Sequence, residues 1–431
     1  RATEIVSRTS RSRPAHRMEV LLDTRANRPI LLREEECDWR PLFPHPDRAG
    51  EWITHDRGTA VTIELEAAYV RGRLSVDEFL QQCAIANPHA QIHYRIRLKS
   101  REDAAGDEPA VSSSFAPDMS PAPAASSNGP PAVPAEWRTF RRAVEDMPPS
   151  PSEILPHPHG VELGMLMQIL KDTSARTLRS ALATEFSRVS DRTALEICQR
   201  AGLDPAARPA RIAHNDAETL YQAIQQTKLM RPPTDCLAPI GEAAIVAGLQ
   251  KEVPSEFVTA VSRPPAVYRG NPFLIEAGIA CWRPGERDTA GTADDPVRVL
   301  RFANRVPLLY QAGACALTRA VIGVNWKTYG LAQPKGALPV GPVVLLIHIA
   351  SVWVPFTSES KDAVAAYPEI LRETTFALQE CGRRLAQFLG RRRREEEARR
   401  KRQYIETYIP HLARGLAAIL NLPRSEERRV G

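Results

Sequence analysis

Residues 101–136 consist largely of Ala, Pro, Ser and Asp and hold almost no large apolar side chain. Such a segment cannot offset the entropy of ordering its backbone by burying surface. It is therefore expected to be a disordered insert or linker, with the folded parts on either side of it. A chain of 431 residues is too long for one ordinary domain and predicts two or three. Its composition, 43% hydrophobic and 25% charged, is enough to bury real cores. Composition and periodicity divide it into 1–97, an insert 98–147, a helical segment 148–236, an α/β segment 237–423, and a tail 424–431 that matches nothing before it.

The first segment carries strand signals. Met18–Leu22 leads into Asp23, Ala60–Glu66 alternates with period two, and Ile92–Arg97 alternates again. Between them, Ser75 with Glu78 three residues on forms a capping box before Phe79 and Leu80. In 148–236, Leu163, Leu166, Met167 and Leu170 share one helical face, and Leu178, Leu182 and Phe186 share another. Ser190 is expected to cap a helix that carries Leu195 and Cys198 and stops at Gly202. Asn215 with Glu218 is expected to cap one carrying Leu220 and Ile224. Further on, strands are expected at Leu274–Cys281, Val297–Phe302 and Val343–Ile349, and helices at Gln311–Ile322 and Lys361–Leu389. The last helix carries a stripe of Val364, Tyr367, Leu371, Leu378, Cys381, Leu385 and Phe388. It then turns highly charged, with i,i+4 pairs Glu395–Arg399, Glu396–Arg400 and Glu397–Lys401 that sustain a solvated helix. A second apolar stripe follows, Ile405, Ile409, Leu412, Leu416 and Ile419, with Pro410 expected to bend or restart the helix.

Several chemistries find no support. The seven cysteines are odd in number and form no CxxC pair, which speaks against a zinc ribbon or disulfide framework and for reduced thiols in the cytoplasm. His157 and His159 flank Pro158 without a third ligand at useful spacing, so a turn is the better reading than a metal site. No Ser-His-Asp, Cys-His or paired-carboxylate set is legible. No signal peptide or membrane-length apolar run is visible, so no membrane partner is expected. The net charge of +6 is compatible with nucleic acid without requiring it. The chain begins with Arg1 inside structured-looking sequence, and a missing N-terminus is expected.

One family draws the motifs together. Gly58-Thr59, Ile63–Glu66, Tyr69, Gly72, Ser75-Val76 and Ala84–Ala90 resemble the end of the ATPase domain of topoisomerase VI B subunits, the ATP-dependent partners in type IIB DNA topoisomerases. Pro156–Glu162 and Pro232–Gly241 resemble the two ends of that family's helix-two-turns-helix module. Arg269–Phe273, Arg301–Leu309, Asn325–Gly330 and Val354–Lys361 are similar to its transducer domain. The implied fold class is α+β multidomain. It comprises the C-terminal part of a Bergerat (GHKL) ATPase α/β sandwich, a helix-two-turns-helix module, and an α/β transducer of ribosomal protein S5-like fold ending in a long helix. The family's nucleotide-binding motifs should precede residue 1, so most of the pocket for ATP and magnesium is expected to be absent and the fragment alone inactive.

The resemblance also implies residue roles. The transducer lysine that reaches the γ-phosphate is expected at Lys327, in the Trp326–Gly330 context, because a point-like ammonium on a long stem suits concentrated charge. Gly58 and Thr59 are weaker ATP candidates, and Gln226-Thr227-Lys228 is read as an ordinary helix end. Lys171, Arg176, Arg179, Arg188 and Arg192 are candidate DNA contacts, since similar modules bind DNA in repair glycosylases. The stripe Ile405, Ile409, Leu412, Leu416 and Ile419 is expected to meet the A subunit, which carries the DNA-cleaving tyrosine. The implied assembly is an A2B2 heterotetramer acting on double-stranded DNA, the B subunits dimerising through their ATPase domains when ATP is bound, in a cytoplasmic, nucleoid-associated setting. The alternatives are an ATPase-deficient DNA-binding or scaffold derivative, and another GHKL ATPase such as a MutL-like repair protein.

Overall fold

The computed structural model describes residues 2–23, 28–45, 51–70, 72, 74–96, 137–282 and 295–420. The disorder expected of 101–136 and the tail 424–431 lie outside these residues. The chain forms two compact units, Arg1–Arg71 with Ala90–Arg142, and Gly72–His89 with Ala143–Gly431.

The first unit is built on β1 (Thr3–Arg8), β2 (Ala15–Asp23), β3 (Arg28–Cys37), β4 (Leu42–Pro44), β5 (Trp52–Thr54) and β6 (Gly58–Thr62). Two short strands follow, β7 (Ile92–Tyr94) and β8 (Arg138–Phe140). The main sheet has the order β3-β2-β1-β6, antiparallel throughout. Ile5, Met18 and Val61 stand opposite one another on one face. On the other, Arg17 bridges Glu4 at 3.0 Å and Glu35 at 3.9 Å, beside the buried Val6 and Ala15. The described residues of this unit include no helix.

The segment 1–97 is split between the units, because helix α1 (Val76–Ala86) belongs to the second. Ser75 caps it as expected, its hydroxyl accepting from the Glu78 N–H at 3.1 Å. The returning Glu78 carboxylate accepts from Leu74, one residue earlier than in a standard capping box. The helical segment forms α2 (Leu163–Asp172), α3 (Leu178–Glu185), α4 (Asp191–Ala201) and α5 (His214–Gln226), around Leu166, Leu170, Leu182, Ile197, Leu220 and Ile224. Ser190 caps α4 and Gly202 ends it. One expectation fails here. Helix α5 starts at His214 behind Ala213 with no side-chain cap, so Asn215 lies inside it and its carbonyl serves Thr219. In α4 the buried face is Ala194, Ile197, Cys198 and Ala201, which leaves Leu195 half-exposed.

The remaining elements are α6 (Glu242–Glu252), β9 (Phe257–Ser262), β10 (Ala266–Tyr268), β11 (Asn271–Cys281), β12 (Arg298–Ala303), β13 (Val306–Pro307), α7 (Ala316–Gly323), β14 (Val343–Ser351) and α8 (Pro368–Ile419). The sheet runs β10-β11-β14-β12-β13, with β9 also on β11. Only the β12–β14 pair among these is parallel, and α7 lies between them in the chain. One face packs on α7 and α8 through Ile275, Ile279, Leu345 and Ile347. The other packs on α1 and α6 through Ala280, Leu300, Phe302, Val344 and Leu346. Burial on both faces is why β14 reads as a nearly continuous apolar run, broken by His348, rather than an alternating one.

Helix α8 departs from expectation at both ends. It begins at Pro368, not Lys361, because 356–364 is drawn into a loop by the Phe356–Val364 bridge and by Lys361 at φ 57°. Val364 and Tyr367 of the expected stripe therefore precede the helix. It then runs for 52 residues without a break, through Pro410. At about 1.5 Å per residue that is roughly 80 Å. Its first third buries Ile370, Ala377, Leu378, Cys381 and Leu385 in the core, and the described side chains from Arg393 to Leu420 are exposed except the half-exposed Ala413. Pro410 removes the N–H that would serve the Glu406 carbonyl, and on an exposed helix water can take that acceptor.

Candidate functional site

The candidate residues fall into separate places. Lys327 stands on a 3-10 turn, Trp326–Tyr329, between α7 and β14. Trp326 is fully buried and its indole N–H donates to the Val321 carbonyl at 2.8 Å. The Trp326 N–H donates to Gln333 Oε1 at 3.1 Å, and Gln333 Nε2 donates to the carbonyls of Ile322 and Ala337. Tyr329 lies against α8 where residue 382 is glycine, since a Cβ there would stand 2.5 Å from the ring. The turn is thus a rigid mount that leaves Lys327 exposed. Lys335 is exposed in the adjoining loop, which Gln333 also ties down.

A second lysine, given no role by the sequence, stands out in the structure. Lys361 is exposed and holds φ 57°, a conformation uncommon for lysine. Around it the Ser358 and Ser360 hydroxyls lie 2.8 Å apart, and Ser360 donates to Asp362 at 2.6 Å. The Lys327 loop leads into the start of β14 and the Lys361 loop follows its end.

In the first unit, the Thr59 hydroxyl is taken up across the sheet by Ser7 at 2.9 Å, beside Gly58 at the start of β6. Among the described residues no group of three His, Cys, Asp or Glu is placed to hold a metal ion.

The basic residues of the helical module are not equivalent. Arg179 forms a bidentate pair with Asp191 at the start of α4, which neutralises much of its charge. Lys171, Arg176, Arg188 and Arg192 are exposed. The histidines are structural, as a turn requires. His157 Nε2 bonds the Met230 carbonyl at 3.0 Å while its Nδ1 accepts from the His159 N–H. His159 Nε2 meets the carbonyls of Ile224 and Thr227 at the end of α5. Burial lowers the pKa of His157, the Met230 bond opposes this, and His159 and Arg188 lower it further. Thr227 donates to the Ala223 carbonyl at 2.7 Å, which fits Gln226–Lys228 as a helix end. The outer stripe of α8 is bare: Leu412 is 63% exposed and Ile419 80%, with Ile405, Ile409 and Leu416 also exposed. Beside it runs an aromatic row, Tyr404 against Tyr408 at 4.5 Å and then His411, which sequence reasoning misses although its i,i+4,i+7 spacing is visible.

Sequence reasoning also misses a fully buried pair, Glu276 and His348, on β11 and β14. A carboxylate and an imidazole inside two otherwise apolar strands are the available signal.

Residues 232–401 match the family described as topoisomerase VI B subunit, transducer. The B subunit of the type 2 DNA topoisomerase 6 of Methanosarcina mazei is 40% identical over 421 residues, which cover 97% of this chain and 59% of that protein. The protein of the same name from Archaeoglobus fulgidus is 39% identical, over 99% of this chain and 62% of its own length. That from Thermococcus sibiricus is 30% identical over 90% of this chain and 67% of its own. The chain therefore spans about three fifths of the length of the first of these relatives. Among solved structures, the B-subunit of the DNA gyrase from Myxococcus xanthus aligns with 28% of this chain and 32% of its own at 18% identity, with a TM-score of 0.20, too low to carry an argument. The transducer match falls on α6 to α8, the relatives extend the likeness over nearly the whole length, and the chain belongs to the topoisomerase VI B subunit family.

Proposed function

We propose that this chain is the transducing part of the B subunit of an ATP-dependent type IIB DNA topoisomerase. In this reading it couples ATP binding and hydrolysis, with magnesium, to the passage of one duplex through another, while an A subunit cleaves. The observation that carries the proposal is helix α8: one end is built into the transducer core and the other leaves it bare, so a tilt of the sheet is delivered far from it. The exposed stripe Ile405–Ile419 is the A-subunit contact, and Lys171, Arg176, Arg188 and Arg192 are the DNA contacts of the helical module. In this reading 1–97 holds the end of the ATPase domain, with α1 given over to the second unit and the insert 98–147 ordered at β8, while 148–236 is the helix-two-turns-helix module and 237–423 is the transducer. The γ-phosphate lysine is Lys327 on its rigid mount, and the strained Lys361 is the competing choice, since unusual backbone conformations gather at functional sites. The test is relaxation of supercoiled DNA by the complete B subunit paired with its A subunit. Activity that requires both subunits and ATP supports the reading, and relaxation indifferent to ATP overturns it.

A further inference from the structure

Glu276 and His348 have no solvent exposure and are register partners on adjacent strands, with His348 Nδ1 2.8 Å from Glu276 Oε2. Three more donors serve the same carboxylate. Two belong to the connector that leaves the helical module, the N–H groups of Ile240 at 2.7 Å and Gly241 at 2.8 Å. The third is the Ser262 hydroxyl, at 2.7 Å. On its other side, His348 Nε2 accepts the N–H of Arg305 at 3.0 Å, which places the imidazole proton on Nδ1. Arg305 occupies the β12–β13 turn at φ 68°, and its guanidinium returns to the Pro239 carbonyl at 2.8 Å. The bonds close a ring through connector, β11, β14, the turn and back to the connector.

Such a ring resists partial opening. A carboxylate removed from water is tolerated only while its acceptors are filled. If the connector lifts away, Glu276 loses two donors at once inside a dry core, and Arg305 loses its hold on Pro239. The leading end of the module is fixed to the same sheet by different means. Gly270, at φ 71° in the β10–β11 hairpin, presses backbone to backbone on Gly160, which lies in the turn before α2; a Cβ at 270 would stand 2.4 Å from the Gly160 nitrogen.

We propose that the helical module and the transducer sheet turn as one lever, clasped by Glu276, His348 and Arg305 where the chain leaves the module and by the Gly160–Gly270 contact where it enters. Whatever the module holds then moves with the sheet and α8. The inference concerns this chain's own mechanics and does not rest on the nucleotide or DNA readings, so it can fail while they stand.

The test uses spin labels at Arg192→Cys in the module and Arg319→Cys on α7, in the full chain with Cys37, Cys83 and Cys236 replaced by serine. Hydrogen exchange on the same chain reads the clasp directly. The parent should give one narrow distance, with the amides of Ile240, Gly241 and Arg305 as slow as those of β14. Glu276→Gln should broaden the distance and speed exchange at Ile240 and Gly241 roughly tenfold or more, with β14 unaffected. Arg305→Asn, on a half-exposed turn whose backbone conformation asparagine tolerates, should do the same and serves if the buried variant does not fold. A broad distance in the parent, or variants that stay narrow and protected, overturns the proposal.

Discussion

Two exposed lysines flank β14 in the chain, Lys327 in the loop before it and Lys361 in the loop after it. In the complete complex, loss of the contacting ammonium is expected to slow ATP hydrolysis or gate closure roughly ten- to hundredfold. We expect this of Lys327→Ala, with Lys335→Ala weaker; steady-state turnover of the two beside Lys361→Ala decides it. A defect confined to Lys361→Ala moves the contact to the loop after β14. His157 gives a pH prediction. Its folded pKa is lowered, so the unfolded chain takes up the proton first, and its contribution to stability is complete above about pH 6.5 and fades as pH falls below that. The melting temperature of the helical module should therefore drop on acidification from pH 6.5 towards 5, and the part of the drop owed to His157 should vanish in His157→Gln. A pH-independent melt in that window contradicts it. Both features show where sequence reasoning falls short. Periodicity finds faces, but neither the φ of Lys361 nor the partners of His157, 73 residues away, leaves a periodic mark.

Among the elements, α8 is the most legible and the most misjudged. Its inner stripe, charged run and outer stripe are all readable from spacing. Its true start is not, because loop contacts at 356–364 override a strong helical pattern. Nor is its continuity through Pro410, which depends on the surface being wet. Gly382→Ala should push Tyr329 off α8 and loosen the Lys327 turn. Overpacking of this kind costs about 1–3 kcal/mol, readable by denaturant unfolding. An unchanged midpoint would mean the ring moves freely. In the helical module, the core is legible from Leu and Ile spacing, whereas the pairing of Arg179 with Asp191 joins two helices and is not. In duplex-binding titrations against salt, Arg176→Ala and Arg192→Ala should each lower the slope by about 0.9. Arg179→Ala should leave it nearly unchanged, and equal effects from all three would show that the ion pair does not withhold Arg179 from DNA.

At the scale of the molecule, the family is legible because its motifs lie in order along the chain, and similarity over nearly all of it agrees. The division at residue 97 is less secure: α1 is contiguous in sequence with the first unit but packs with α6 and the transducer sheet. The clasp at Glu276 is not derivable either, since it gathers residues from 240 to 348 that become neighbours only once the sheet forms. The account's central claim is that α8 carries motion from the transducer to a partner seated on its bare outer stripe. Co-purification of a topoisomerase VI A subunit with the chain, beside the same chain ended after Arg402, tests this most directly. The account predicts that the A subunit is retained by the whole chain and lost with the truncated one. Undiminished retention after truncation, or none by the whole chain, would contradict it.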